Sequence, residues 1–163
     1  MSLAEAATTL TQLVPTPPVT HPVAKSLGDV KAFKISPDDT NYFACLADPV
    51  AEGVPFTFII EIYNVGGATP PNTHTGAYEF FFILAGTGKG MCDGVEVDLA
   101  PGSSLLLPPG KEHIIENTGE GKLYALCAMV PNEDFAEMIH GGIEVELTDE
   151  DKAIISRSVP MAA

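Results

Sequence analysis

From residue 30 onward the chain is interrupted too often for long helices and at the right interval for short strands. Runs of apolar, aromatic and β-branched residues at 30–36, 41–47, 56–65, 79–85, 89–92, 95–99, 103–107, 111–116 and 123–130 are separated by Gly, Pro, Asn and Asp clusters. Such runs read as strands bounded by turns. Asp93-Gly94 between two of them is tight-hairpin chemistry, because that turn needs residues that tolerate positive φ. Strands this short and closely spaced predict an all-β, antiparallel sandwich or barrel. Upstream, residues 4–13 read as a short helix, and Pro15, Pro17, Pro18 and Pro22 then favour an extended arm. Downstream, 132–139 reads as a helix with Asn132 as N-cap, closed by Gly141-Gly142. Residues 143–147 suit a further strand, and Thr148 opens a second short helix. The expected organisation is an N-terminal arm over 1–29, a β-domain over 30–147, and a short C-terminal helix and tail over 148–163.

With 163 residues, one domain can bury roughly 70% of the surface its unfolded chain exposes. The net charge of −14, from 22 acidic and 8 basic residues, argues against nucleic acid and anionic membrane surfaces as partners. No stretch reaches the length of uninterrupted apolar residues that a membrane span needs, and the start of the chain lacks the basic-then-apolar pattern of a secretory signal. Cys45, Cys92 and Cys127 are odd in number and sit in separate strand-like runs. They read as buried free thiols in a reducing, cytoplasmic setting.

Two stretches carry the chemistry. The first runs Gly66, five residues, Asn72-Thr73-His74, four residues, Glu79, six residues, Gly86. The second runs Gly102, five residues, Pro108-Pro109-Gly110, two residues, His113, three residues, Asn117. In extended backbone, residues two apart share a face, so Asn72 and His74 point together while Thr73 and Thr75 point away. Glu79 and His113 each begin a further strand-like run, and a barrel can aim all four side chains at one point. Two imidazoles and a carboxylate suit Fe(II), Mn, Ni or Zn, and two His with one carboxylate is the donor set of non-haem Fe(II) oxygenases.

These stretches resemble the two signature motifs of the cupin superfamily. The first of those motifs reads Gly, five residues, His-x-His, three or four residues, Glu, six residues, Gly. The second reads Gly, five residues, Pro-x-Gly, two residues, His, three residues, Asn. Every named position is met here except one, where Asn72 stands in place of the first His. The resemblance covers about residues 54–130 and implies a cupin-type double-stranded β-helix, or jelly roll. It implies one divalent metal per chain, Fe(II) ahead of Mn, Ni or Zn, held by His74, Glu79, His113 and Asn72. Three outcomes stand open for Asn72: its amide oxygen ligates, it stays beside a three-ligand metal, or the site has lapsed.

The function the resemblance implies is a metal-dependent dioxygenase acting on a small organic molecule inside the barrel, with Glu79 as ligand and candidate base. Metal-dependent lyase, decarboxylase or isomerase chemistry, and non-enzymatic ligand binding or sensing, are the alternatives on this fold. Alternation places Phe81 and Ile83 inward with Glu79, and Ile115 inward with His113; Leu106 and Leu126 are further candidates for this inner wall. Glu61, Tyr63, Tyr78 and Tyr124 are the polar groups near it in sequence. Lys89 and Lys111, the cations nearest the motifs, sit at turns, which weighs against carboxylate or phosphate substrates. Phe80, Phe82 and Leu84 would face outward, too apolar to leave in water. A homodimer is the expected cover, with the chain's own residues 4–50 as the alternative.

Overall fold

The computed structural model describes residues 16–157; the helix expected over 4–13 and the end of the tail lie outside them. Ten strands form: β1 (Ala32–Lys34), β2 (Asn41–Ala47), β3 (Thr57–Tyr63), β4 (Tyr78–Ala85), β5 (Gly88–Cys92), β6 (Val95–Leu99), β7 (Ser104–Leu107), β8 (His113–Asn117), β9 (Leu123–Val130) and β10 (Ile143–Val145). Three short helices join them: α1 (Pro49–Glu52), α2 (Phe135–His140) and α3 (Asp149–Ser156). A seven-stranded sheet in the order β10-β1-β2-β3-β9-β4-β7 packs against a three-stranded sheet in the order β6-β5-β8. Every strand pair is antiparallel. This is the predicted all-β sandwich closed toward a barrel.

Each strand forms where the alternation predicts it, with no end displaced by more than two residues. Asp93 and Gly94 both take positive φ, as the hairpin between β5 and β6 requires. The sequence reading missed α1, a single turn with complete start and stop signals. Asp48 accepts from the backbone N–H groups of Val50 and Ala51, Pro49 occupies the first turn, and Gly53 closes it in the left-handed region. The start of α2 also differs. Glu133 and Asp134 adopt positive φ, so the helix begins at Phe135 rather than 132. Asn132 still supplies a cap, its Oδ1 accepting the Ala136 N–H at 2.9 Å.

The period of two sorts side chains into two apolar clusters. Inside lie Phe43, Ile59, Phe81, Ile83, Leu107, Ile115, Cys127 and Met129, among others. On the outer face of the large sheet lie Tyr42, Ile60, Ile62 and Tyr124, joined by Leu84 and Leu126. Leu106 and Leu126 therefore leave the inner wall, because on β7 and β9 it is the odd-numbered residues that face inward. The same parity carries Tyr124 outward, and Tyr78 is exposed.

Part of the outer face is covered by the chain itself. Ile154 and Ile155 of α3, with Leu27 and Val30, pack over it. The fully buried Asp151 fastens α3: the Tyr42 and Tyr124 hydroxyls each donate to it at 2.8 Å, and Lys122 Nζ donates at 2.9 Å. The Thr148 N–H donates to it as well, at 2.8 Å, and burying that carboxylate is tolerable because these donors satisfy it. The arm also lies on its own chain, with the Val19 N–H donating to the Glu52 carbonyl at 3.1 Å and Thr16 Oγ1 donating to the Val50 carbonyl at 2.6 Å. A second part of the outer face stays open. Phe58, Ala128, Phe80 and Leu106 align in register across β3, β9, β4 and β7, with Phe58 40%, Phe80 37% and Leu106 60% exposed.

Candidate metal centre

The two Gly- and Pro-rich stretches are hydrogen-bonded to each other, and that pairing builds the site. Asn72 and His113 form an antiparallel bridge, exchanging both backbone hydrogen bonds at 3.2 and 2.9 Å. The Gly110 N–H donates to the His74 carbonyl at 2.7 Å. Gly110 does so at φ +76, a left-handed conformation costly for any residue with a Cβ. Asn117 is a fastener rather than a site residue. Its amide donates to the carbonyls of Tyr63, Asn64 and Gly121 and its oxygen accepts from Gly119, so one buried side chain ties the strand ends together.

His74, Glu79 and His113 then converge, their ligand atoms all within 4.8 Å of one another. Glu79 Oε2 lies 3.2 Å from His74 Nε2 and 2.9 Å from His113 Nε2. Its other oxygen, Oε1, accepts from the Cys127 thiol at 3.3 Å. Nothing in the spacing pointed to Cys127; register alone brings it beside β4.

The donor chemistry fits a cation. His113 Nδ1 lies 3.0 Å from the Lys111 carbonyl, which can only accept, so Nδ1 carries a proton and Nε2 is the nitrogen presented to the site. That nitrogen is buried and has no hydrogen-bond partner. Unprotonated, that nitrogen and a carboxylate oxygen 2.9 Å away repel unless a positive charge lies between them. Two ligands at about 2.1 Å from one ion and at right angles stand about 3 Å apart, close to both His–Glu separations here. Asn72 supplies a second orphan. Its amide nitrogen donates to the Pro70 carbonyl at 3.2 Å, which leaves its Oδ1 buried and unpaired on the wall of the same cavity.

Electrostatics follow the geometry. Burial would push Glu79 up, but the two imidazoles beside its Oε2, His113 and His74, outweigh it and hold the carboxyl at about 2. Burial would lower His113, yet Glu79 and the Lys111 carbonyl bring it above the usual imidazole range. Burial raises the Cys127 thiol far above its ordinary value, so it is an inert donor here.

The site opens into a cavity of about 260 Å³ walled by Phe43, Phe81, Ile115 and Phe135 and bordered by Ile35, Asp39, Thr69, Pro70 and Met138. Asn41 and Glu61 also reach it. Glu61 is buried and accepts from Asn41 Nδ2 at 2.6 Å. Desolvation, aided by the Glu79 charge, pushes Glu61 up to about 8. The buried Tyr63 hydroxyl nearby has no hydrogen-bond partner. Lys89 and Lys111 are spent on exposed pairs with Glu96 and Asp93, outside the cavity. Of the remaining histidines, His21 is exposed, and His140 at the end of α2 pairs with the buried Asp48 at 3.0 Å.

Comparison with known proteins places this geometry. The cupin domain family profile matches residues 59–129. An uncharacterized protein of Methanocaldococcus jannaschii, MJ1618, is 30% identical over 82 residues, which is 50% of this chain and 66% of that protein. The chain thus spans about two thirds of that relative's length. Among solved structures, a predicted oxalate decarboxylase of Thermotoga maritima superposes with a TM-score of 0.53 at 26% identity, covering 56% of this chain and 80% of that one. The cupin domain of Schizosaccharomyces pombe Cnp3 superposes with a TM-score of 0.56 at 18% identity, over 72% of this chain and 81% of that one. At that identity the likeness speaks for the fold.

Proposed function

The chain is a cupin-domain protein, and on that premise we propose that it is a metal-dependent enzyme, an Fe(II)-type dioxygenase acting on a small organic molecule in the cavity. The observation that carries this reading is the unpaired His113 Nε2 set 2.9 Å from Glu79 Oε2, with His74 Nε2 at 3.2 Å from the same oxygen. His74, Glu79 and His113 would hold the metal, with the Asn72 amide oxygen as a fourth, weaker donor. A divalent ion there supplies Lewis acidity and, for iron, the redox capacity to activate O2.

The remaining roles fall to the chain. The Lys111 carbonyl fixes the His113 ring, and the Cys127 thiol orients Glu79. Phe81, Ile115 and Phe135 keep the cavity apolar and limit water. Glu79 acts as a ligand, because a carboxyl held at about 2 is a weak proton acceptor. That argues against the base role expected of it from sequence.

The test is elemental analysis after anaerobic Fe(II), Mn(II), Ni(II) or Zn(II) loading, beside His74→Ala. About one metal per wild-type chain, lost in the variant, is the expected result. Nitric oxide added to the Fe(II) protein should then give the spin-3/2 signal of an iron with an open position. No metal under any loading would sink the reading. A metal-dependent decarboxylase is the second reading, favoured by the likeness to the Thermotoga maritima protein, a predicted oxalate decarboxylase. Among the described residues no Lys or Arg lines the cavity, which weighs against it.

We also propose that the chain pairs with a second copy through the open outer face around Phe58, Phe80 and Leu106, an apolar row too continuous to be left in water.

A further inference from the structure

The cavity wall carries a further polar pair, Glu61 and Asn41, that is not part of the metal-donor set. Glu61 lies on the inner face of β3, in register with Ala125 of β9, whose small side chain leaves it room. Its Oε1 is held by Asn41 Nδ2 at 2.6 Å, and Asn41 is itself buried. No strand motif requires a carboxyl at this position. The neighbours on the same face, Ile59 and Ile83, are apolar, and an apolar residue there would avoid the cost of burying a carboxyl.

Among the described residues, three carboxylates, Asp39, Glu61 and Glu79, reach the cavity, and no Lys or Arg does. A substrate carboxylate or phosphate would therefore find no fixed cation from the chain and would meet the ionised Glu79. A hydroxyl meets no such conflict. It donates to Glu61 when the carboxyl is ionised and accepts from it when it is protonated. The cavity walls are largely aromatic, with Phe43, Phe81 and Phe135. A cavity of about 150 Å³ already takes benzene, and this one measures about 260 Å³.

We propose that Glu61, positioned by Asn41, is the substrate anchor of this cavity and selects an uncharged, single-ring alcohol or phenol over a carboxylate of the same size. The inference rests on the reading of the cavity as the substrate site. Glu61 fixes the hydroxyl while the ring lies among the phenylalanines, so the anchor sets which part of the ring faces His74, Glu79 and His113.

The experiment is calorimetric titration of Zn(II)-loaded and metal-free full-length chain with benzyl alcohol, toluene and benzoate. Metal content is measured in the same samples. Benzyl alcohol should bind at least about tenfold tighter than either toluene or benzoate. Glu61→Leu should bring benzyl alcohol and toluene to within about twofold, and Glu61→Gln should keep most of the preference. Both variants should keep the wild-type metal content. Benzoate binding as tightly as benzyl alcohol, an unchanged preference in Glu61→Leu, or no binding of any probe to the wild type would overturn the anchor. If Glu61→Leu fails to fold, Glu61→Met serves in its place, and the wild-type ranking alone can still refute the proposal. Selectivity in a chain that takes up no metal would leave the anchor standing and remove the metal reading. One metal per chain with benzoate preferred would do the reverse.

Discussion

His113 Nε2 lies 2.9 Å from Glu79 Oε2 and makes no hydrogen bond to it. Nδ1 of the same ring is occupied by the Lys111 carbonyl at 3.0 Å. A buried nitrogen aimed at a buried carboxylate oxygen without bonding geometry is what a ligand pair looks like around a shared cation. Removing either ring should therefore act on metal first. His113→Ala and His74→Ala should each lower metal affinity by about a hundredfold or more, read by elemental analysis after dialysis against a weak chelator. Retained stoichiometry in His113→Ala would place the metal elsewhere.

Metal uptake should be linked to protons. Glu79 raises His113 above the ordinary imidazole range, so below that raised value the metal-free site holds a proton that the ion must displace. Affinity should rise about tenfold per pH unit while His113 is protonated, then level off above its folded value. Titration in buffers of different ionisation enthalpy counts the released proton. A count of zero would mean that His113 is not displaced.

Asn72 is the one departure from the family pattern, and its buried Oδ1 has no partner. If that oxygen ligates, Asn72→Ala should weaken metal binding by about tenfold, less than loss of an imidazole. Asn72→His should tighten it by a similar factor, and competition with a chromogenic chelator measures both. Equal affinity in wild type and Asn72→Ala would remove Asn72 from the ligand set.

Glu61 has a stability signature distinct from the anchor role. Its folded value is about 8, above the ordinary carboxyl value of 4.5, chiefly through burial. Between those values the folded state keeps a proton that the unfolded chain releases. Its contribution to stability is thus fully present below about pH 4.5, falls as pH rises, and is lost above about pH 8. Glu61→Gln should flatten that slope, raising the melting temperature by about 3 °C or more at about pH 8.5 and changing it little at about pH 4. A gain that does not depend on pH would contradict the raised value.

The open outer row predicts self-association. Phe80→Glu should shift the chain from dimer to monomer in sedimentation velocity while its circular dichroism stays unchanged. Phe80 is already 37% exposed in the single chain, so a charge there is compatible with folding. A wild-type monomer at high protein concentration would refute the dimer.

Most of the strand order was legible because alternation and turn residues are local signals. Asp93-Gly94 marks its own hairpin, and Gly66, Gly86, Gly102 and Gly110 all take the positive φ that their places between strands demand. The start of α2 was less legible, since Glu133 and Asp134 adopt left-handed backbone that their residue types do not announce. Leu106, Leu126 and Tyr124 were assigned to the wrong surroundings for a related reason. A one-residue error in phase reverses every side chain on a strand, and only pairing to a neighbour fixes the phase.

By itself the sequence determined an antiparallel β-domain and the three donors His74, Glu79 and His113, because residue type and spacing encode both. Tertiary structure decided the rest. It set Cys127 against Glu79, folded α3 over the outer face through Asp151, and brought Glu61 and Asn41 to the same cavity as the metal donors. These residues come from strands and helices far apart in the chain. Their proximity depends on register and closure, which no local pattern carries.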